Sequence, residues 1–325
     1  MRVFLTGGAG YIGGATAEAL LSEGHMVTVY DNLSRGYRDA VPQDAEFVLG
    51  DIGNRDDLAA ALSASQFDVV FHFAALIEAG ESMENPGLYF RNNVAYSHNV
   101  IEAARISGCS SFVLSSTAAV YASSAKPLNE DSAIEPANAY GETKLMIERM
   151  LHWYRQAYGL RYAVLRYFNA SGALPNRGES HHPETHLIPR VLQVALGQRE
   201  DIQLYGTDYS TPDGSCIRDY VHIADLAEAH VLAAAALEQN ETAVYNVGTG
   251  IGHSNREIID MARTVTGHPI PVRSSPRRPG DAARLVAGSG KIRHELGWEP
   301  QYSELDKIVS SAWDWHRNRP YGYRD

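Results

Sequence analysis

Short apolar runs recur along the first half of the chain, and each is separated from the next by a stretch with helical spacing. The runs are Val3–Leu5, Val27–Tyr30, Phe47–Leu49, Val69–Phe73, Phe112–Leu114 and Ala163–Leu165. Continuous apolar runs between helices are strands covered on both faces, which is the signature of a parallel sheet. The predicted fold class is therefore α/β, a doubly wound parallel (Rossmann) sheet with right-handed crossovers. Past Asn169 the alternation stops. Loops rich in Gly, Pro, His and Asp (Leu174 to Glu184, Gly206 to Gly214) separate shorter elements. These are a helix Leu187–Leu196, a strand Ile202–Tyr205, the segment Arg218–His222, a helix capped by Asp225, a strand Val244–Val247, a Ser254-capped helix, and a last helix from about Leu305. Residues 1–170 are expected to form one domain and residues 171–325 a smaller α/β lobe. No internal repeat or low-complexity tract interrupts them.

In such a sheet ligands lie at the carboxyl ends of the strands, so the residues just after each run are the candidates for chemistry. After the first run come Gly7, Gly10, Tyr11, Ile12 and Gly13, spaced G-x-x-G-x-x-G ahead of a helix-friendly segment. Glycines there allow a tight turn and close approach of a diphosphate, and the helix start offers unpaired N–H groups and a positive dipole end. The second run ends in Asp31 and Asn32, where a carboxylate can accept both hydroxyls of an adenosine ribose and repel a 2′-phosphate. NAD is thus favoured over NADP, and the nearby Arg35 is the one residue that argues the other way. Asp51 and Ile52 suit the amino edge and face of an adenine, although Asp51 also stands where a helix N-cap could be. Phe73, Ala74 and Ala75 follow the fourth run and let a cofactor pass close to the backbone. Asn92 and Asn93 fall inside a helix from about Leu88 to Ile106, where asparagine is a mediocre helix former, so at least one is expected to reach a buried partner.

Hydroxyls at Ser115, Ser116 and Thr117 follow the fifth run. Tyr140 and Lys144 then stand one helical turn apart on the face that carries Ile147, Leu151 and Tyr154. A lysine cation beside a tyrosine favours the phenolate and makes it a usable general base. In the second half Arg218 and Arg278 are candidate diphosphate ligands, since a guanidinium can hold two oxygens at once.

Composition narrows the partners. The chain has 325 residues, 44% apolar, with a net charge of −11, which disfavours nucleic acid and anionic membranes. The two cysteines, Cys109 and Cys216, form no disulfide framework and no metal spacing. With no signal-like N-terminus and no long apolar stretch, a cytoplasmic protein is expected. The histidine pair His181-His182 shows no partner at ligand spacing, so no metal site is expected.

Taken together, these blocks resemble the UDP-glucose 4-epimerases of the extended short-chain dehydrogenase/reductase family. The likeness runs nearly end to end. It includes the Thr6–Gly13 loop, Asp31-Asn32-Leu33, Gly50-Asp51-Ile52, Phe71-His72-Phe73-Ala74-Ala75, Gly80-Glu81-Ser82 and Tyr140-Gly141-x-x-Lys144. It continues through Leu165-Arg166-Tyr167-Phe168-Asn169, Asp213-Gly214-x-x-x-Arg218-Asp219-Tyr220-Val221-His222, Asn246-Val247-Gly248, Arg277-Arg278-x-Gly280-Asp281 and Leu296-Gly297-Trp298. The resemblance implies tightly held NAD, contacted also by Phe168, and a UDP-sugar between the lobes. The implied reaction is reversible C4 epimerisation of a UDP-hexose through a 4-keto sugar, in galactose metabolism. Tyr140 would be the general base, Lys144 would hold the cofactor ribose, and Thr117 would bond the same sugar oxygen. Asn169, His186, Leu187, Gln203, Tyr205, Arg218, Arg278 and Asp281 fall where the family holds the UDP-sugar, and a homodimer is the family's assembly. Three departures stand out: Ile77 where the family often has lysine, and His186 and Thr117 in place of asparagine and serine. Leu285 lies near the position that gates N-acetylated sugars. UDP-N-acetylglucosamine or UDP-glucuronate epimerisation remains an alternative, and a non-catalytic NAD-binding regulator is the alternative from another class.

Overall fold

The computed structural model describes residues 1–239, 242–278 and 281–323. Its strands in chain order are β1 (Arg2–Thr6), β2 (Met26–Asp31), β3 (Glu46–Leu49), β4 (Val69–His72), β5 (Ser111–Thr117), β6 (Arg161–Tyr167) and β7 (Asn169–Ser171). They continue with β8 (Ile202–Tyr205), β9 (Ile217–His222), β10 (Thr242–Val247), β11 (Gly252–Ser254), β12 (Val272–Ser275) and β13 (Arg284–Leu285). The helices are α1 (Tyr11–Ser22), α2 (Arg55–Ser63), α3 (Ala79–Glu84), α4 (Pro86–Tyr89), α5 (Tyr96–Ile106), α6 (Ala139–Tyr158), α7 (Leu187–Ala195), α8 (Ile223–Ala236), α9 (Asn255–Thr266), α10 (Gly290–Leu296) and α11 (Leu305–Asn318).

Seven strands form one parallel sheet in the order β3-β2-β1-β4-β5-β6-β10, the predicted doubly wound arrangement. Strand alternation explains why the runs read as apolar throughout. Val3 and Leu5 face one way, into a core with Val27, Val29, Phe71 and residues of α1 and α8. Phe4 faces the other, with Tyr30, Val70, Phe112, Leu58 and Leu62 of α2, and Ile147 and Leu151 of α6. Both faces of the inner strands are dry, so these strands carry no polar alternation, whereas β3 at the edge is partly exposed. Chain order reverses between β1 and β4, which places the crevice there.

In the second half of the chain two elements differ from the sequence reading. Strand Val244–Val247, expected in the second lobe, is part of β10 and pairs with β6 along its whole length, while α8 packs against α1. The chain therefore leaves the large sheet after β6 and comes back to complete its edge. Asp225 does not cap α8. His222 is the N-cap, accepting from Ala224 N, and the Asp225 carboxylate accepts instead from Gln301 N and Tyr302 N at 2.8 and 3.0 Å. Ser254 does cap α9, reciprocated by Glu257 in a capping box. The remainder forms the smaller lobe: β7, β9, β11 and β13 in one sheet, the β8–β12 pair, and α7, α9 and α11 around a third core.

Candidate active site

β1 turns at Gly7, whose φ of +76° is open chiefly to glycine. A Cβ there would lie 2.5 Å from Ala74 N, and one at Gly13 would lie 2.3 Å from Gly7 O. The loop is thus pressed against the segment after β4 and against itself. Gly10 is different. It is the N-cap of α1 without a side-chain cap, and an added Cβ would meet only Gly7 O at 3.3 Å. The first-turn amides of α1, at Tyr11 and Ile12, are left open to the cleft, which is an anion site by construction.

Asp31 ends β2 and is buried, accepting from Ala9 N at 3.0 Å and Leu33 N at 2.8 Å. Burial raises its carboxyl above the usual range against the pull of these two amides. Asn32 donates to Asp51 at 2.7 Å, and Asp51 also accepts from Gly53 N. Asn54, not Asp51, caps α2; Asp51 is exposed and lies outside the cleft lining that its neighbours Gly50 and the buried Ile52 join. The two asparagines divide. Asn93 is buried, accepting from Leu76 N and donating to Leu76 O and Thr143 Oγ1, whereas Asn92 reaches the cleft wall. They sit in a π-helical turn, Phe90–Ala95, that interrupts the expected helix between α4 and α5; such turns often mark functional sites.

α6 begins at Asn138, which caps it through Gly141 N at 2.9 Å, and ends at Gly159 in the left-handed region. Its first turn brings Tyr140 to the cleft floor beside Thr117 at the end of β5. The Tyr140 phenol is pushed up to about 12 by burial; a hydrogen bond with Thr117 lowers it and the Glu78 carboxylate raises it. Lys144 lies beneath the floor, buried, with Nζ donating to Ser115 O at 2.8 Å. Burial lowers its ammonium to about 8, against the field of Glu148. In this arrangement the ammonium is turned to the Ser115 carbonyl, and burial, Thr117 and Glu78 set the phenol. Tyr167 and Ser115 hydrogen-bond to one another alongside.

Across a cleft of about 760 Å³ the smaller lobe supplies Asn169, His186, Leu187, Arg218, Asp281 and Leu285, while Phe73, Ala74, Ala75, Ile77 and Phe168 line the near side. Arg218 and Asp281 form an ion pair at 3.4 Å. Three predicted residues stand apart from that wall. Gln203 and Tyr205 bond to one another on β8, and Arg278 stacks on the Tyr205 ring at 3.9 Å. Glu78, not singled out from sequence, lines the floor near Tyr140, and Arg35 spans the mouth, donating to His182 O at 2.8 Å and facing Glu81 at 4.0 Å.

The isolation expected for His181 is corrected. Glu179, His181, Glu184 and His186 converge with their ligand atoms within 4.8 Å of one another. Their spacing in sequence fits no regular element, so only the folded loop brings them together. Burial opposes a charge on His186, but Glu179 and Glu184 outweigh it and hold its pKa well above the usual value.

The near side of the cleft fits a dinucleotide. Uncapped amides can meet a diphosphate, Asp31 a ribose diol, and the small residues Ala74 and Ala75 leave room beside Gly7. A model of the NAD dependent epimerase/dehydratase family matches residues 3–248. The UDP-glucose 4-epimerase of Halalkalibacterium halodurans is 48% identical over 327 residues, covering 99% of this chain and 98% of that one. The crystal structure of UDP-glucose 4-epimerase from Brucella ovis with NAD superposes with a TM-score of 0.93 at 45% identity, covering 96% and 97% of the two chains. That of the Bifidobacterium longum enzyme with NAD+ and UDP gives 0.94 at 32% identity, covering 99% and 100%.

Proposed function

The chain belongs to the NAD-dependent epimerase/dehydratase family, and from that premise we propose that it epimerises a UDP-hexose at C4, interconverting UDP-galactose and UDP-glucose. The observation that carries this is the meeting of Tyr140 and Thr117 on the cleft floor, between the glycine loop and the Arg218–Asp281 wall. Residues 1–170 hold the NAD, with Gly7, Gly10, Tyr11, Ile12, Gly13, Asp31, Asn32, Asp51, Ile52, Phe73, Ala74, Ala75, Asn92 and Phe168 around it. Residues from 171 on, together with Asn169 and Thr117, take the sugar nucleotide through His186, Leu187, Arg218 and Asp281, with Gln203, Tyr205 and Arg278 at the outer end. Bound NAD supplies the two-electron acceptor and donor that carry the sugar through a 4-keto stage without net redox change. Tyr140 takes the proton of the 4-hydroxyl and returns it to the same oxygen. Thr117 bonds that oxygen and holds the phenol in line. Lys144 fixes the ribose hydroxyls and favours the phenolate.

UDP-N-acetylglucosamine is the other substrate with a specific observation behind it. Leu285 lines the cleft and packs against the apolar cluster that includes Phe168, and a leucine there is of intermediate bulk. Ile106, Trp153 and Tyr158 leave apolar surface exposed on α5 and α6, which supports pairing of two copies through these helices. Both cysteines are buried and free, in keeping with a cytoplasmic enzyme. Among the described residues no helix is long and apolar enough to cross a membrane.

The test is to mix purified protein, without added cofactor, with UDP-galactose and to follow UDP-glucose by NMR, with Tyr140→Phe alongside. Interconversion without accumulated NADH, lost in the variant, is expected. No turnover of UDP-galactose even with NAD present would overturn the assignment.

A further inference from the structure

We propose that the loop between β7 and α7 is a divalent-metal site, in which Glu179, His181, Glu184 and His186 ligate one ion of the Zn²⁺ class and pin the loop against the cleft. The inference stands independently of the epimerase reading, because it concerns what the loop binds and not what the cleft converts.

Four separations carry it. Glu179 Oε1 lies 2.7 Å from His186 Nδ1 and 3.1 Å from His181 Nδ1, Glu184 Oε1 lies 3.1 Å from His186 Nδ1, and Glu184 Oε2 lies 3.9 Å from His181 Nδ1. Ligands about 2.0–2.2 Å from a tetrahedral ion stand roughly 3.3 Å apart, so these separations bracket the value that metal binding needs. The shell would close with small side-chain movements.

Charge points the same way. The Glu179 and Glu184 side chains are only 7% and 5% exposed, and unpaired buried carboxylates are costly. Among the described residues no lysine or arginine ion-pairs with either; the two imidazoles are their only cationic partners. Two carboxylates and two imidazoles that give up their protons on ligation make a dianionic set that one divalent ion neutralises. Mixed imidazole and carboxylate donors suit Zn²⁺, Co²⁺ or Ni²⁺, and the absence of sulfur disfavours Cu⁺.

The frame is already built. The Trp315 indole of α11 donates to Glu179 O at 3.1 Å, and Gly178 N donates to Tyr323 Oη at 3.3 Å. His181 meets the Tyr11 ring edge-on at 6.4 Å, so an ion here would tie the smaller lobe to the start of α1. Ligation through Nδ1 leaves Nε2 of His186 available to the cleft.

The probe is Co²⁺ added to tag-free protein after chelator dialysis, read by visible absorption and by metal analysis after gel filtration. One equivalent per chain is expected, with the intense visible bands of low-coordinate cobalt, and with Zn²⁺ displacing it and raising the melting temperature. His181→Gln and Glu184→Gln, each with an unchanged circular dichroism spectrum, should bind Co²⁺ at least about tenfold more weakly. Weak six-coordinate bands, no retained metal in the wild type, or equal retention by folded variants would overturn the proposal and leave a self-paired Glu–His cluster. Should a variant fail to fold, the wild-type spectrum decides alone.

Discussion

Gly7, Gly10 and Gly13 share one motif but have unequal freedom. Gly7 needs a positive φ and has no space for a methyl group, and Gly13 has the carbonyl of Gly7 against it. Gly7→Ala and Gly13→Ala should therefore purify with little or no NAD and lose roughly 2 kcal/mol or more of stability. Gly10→Ala, with a single contact at 3.3 Å, should keep its fold and bind NAD only moderately less well. Absorbance of the cofactor released on denaturation, with urea melts, checks the contrast; equal loss in all three would refute it. For the floor, the sign of the lysine effect is fixed by charge. Removing a cation raises a neighbouring phenol's pKa, so in Lys144→Met the rise of kcat with pH should move to higher pH than in the wild type. An unmoved profile would show that Lys144 positions the cofactor without tuning Tyr140. Residues of this kind were legible because turn geometry and helical spacing are local. Arg278 against Tyr205, Asp225 on the 301–302 backbone, and the His181 cluster were not, since each depends on a partner far along the chain or on an irregular loop.

Helix α6 is the element on which the floor rests, and one buried ion pair fastens it. Arg166 on β6 holds Glu148 through Nε and Nη2, with side chains only 5% and 7% exposed, and Ser116 donates to the same carboxylate. Arg166 also reaches Tyr121, which bonds Asn246 on β10 at 2.7 Å. Breaking one member of such a pair leaves a buried charge. Glu148→Gln should thus destabilise by about 3–5 kcal/mol, measurable as a shift in the urea midpoint; a change below about 1 kcal/mol would contradict the network. The strands themselves were plain in the sequence because burial on both faces leaves uniform apolar runs. Their sheet partners were not: nothing within Val244–Val247 says that it lies beside β6 rather than in the lobe that surrounds it in sequence. The π-helical turn at Phe90–Ala95 showed only as a pair of misplaced asparagines, whose physical reason, the bonds of Asn93 to Leu76 and Thr143, is tertiary.

For the molecule as a whole, buried histidines set the response to acid. Burial, aided by Lys144, lowers His72 to about 3, and burial lowers His222 and His230 to about 4. Unfolding returns each to its ordinary value near 6.5, so the unfolded chain takes up more protons as pH falls. Their stabilisation is present above pH 6.5 and is lost as pH falls toward the folded values, by about 2 kcal/mol per histidine between pH 7 and 5. His186, raised in the fold, acts on the other side: its share is present below 6.5 and lost as pH rises through its folded value. Urea unfolding at pH 7 and pH 5 should show the loss. His230→Met, at a site where Nε2 has no partner, should lessen it by about 2 kcal/mol; identical losses in wild type and variant would remove His230 from the account.

The return of the chain to the large sheet has a consequence for how the protein comes into being. On a ribosome, β1 to β6 emerge first, and they can pair as they appear. The edge beside β6 then stays bare until residue 247 has been made, and the face of α1 stays uncovered until α8 arrives. An apolar edge left waiting is where wrong partners attach. The cofactor-binding half is therefore not finished by its own stretch of message: it is completed by residues translated after most of the smaller lobe's first elements, and a nascent chain halted at residue 170 would present an open sheet instead of a domain.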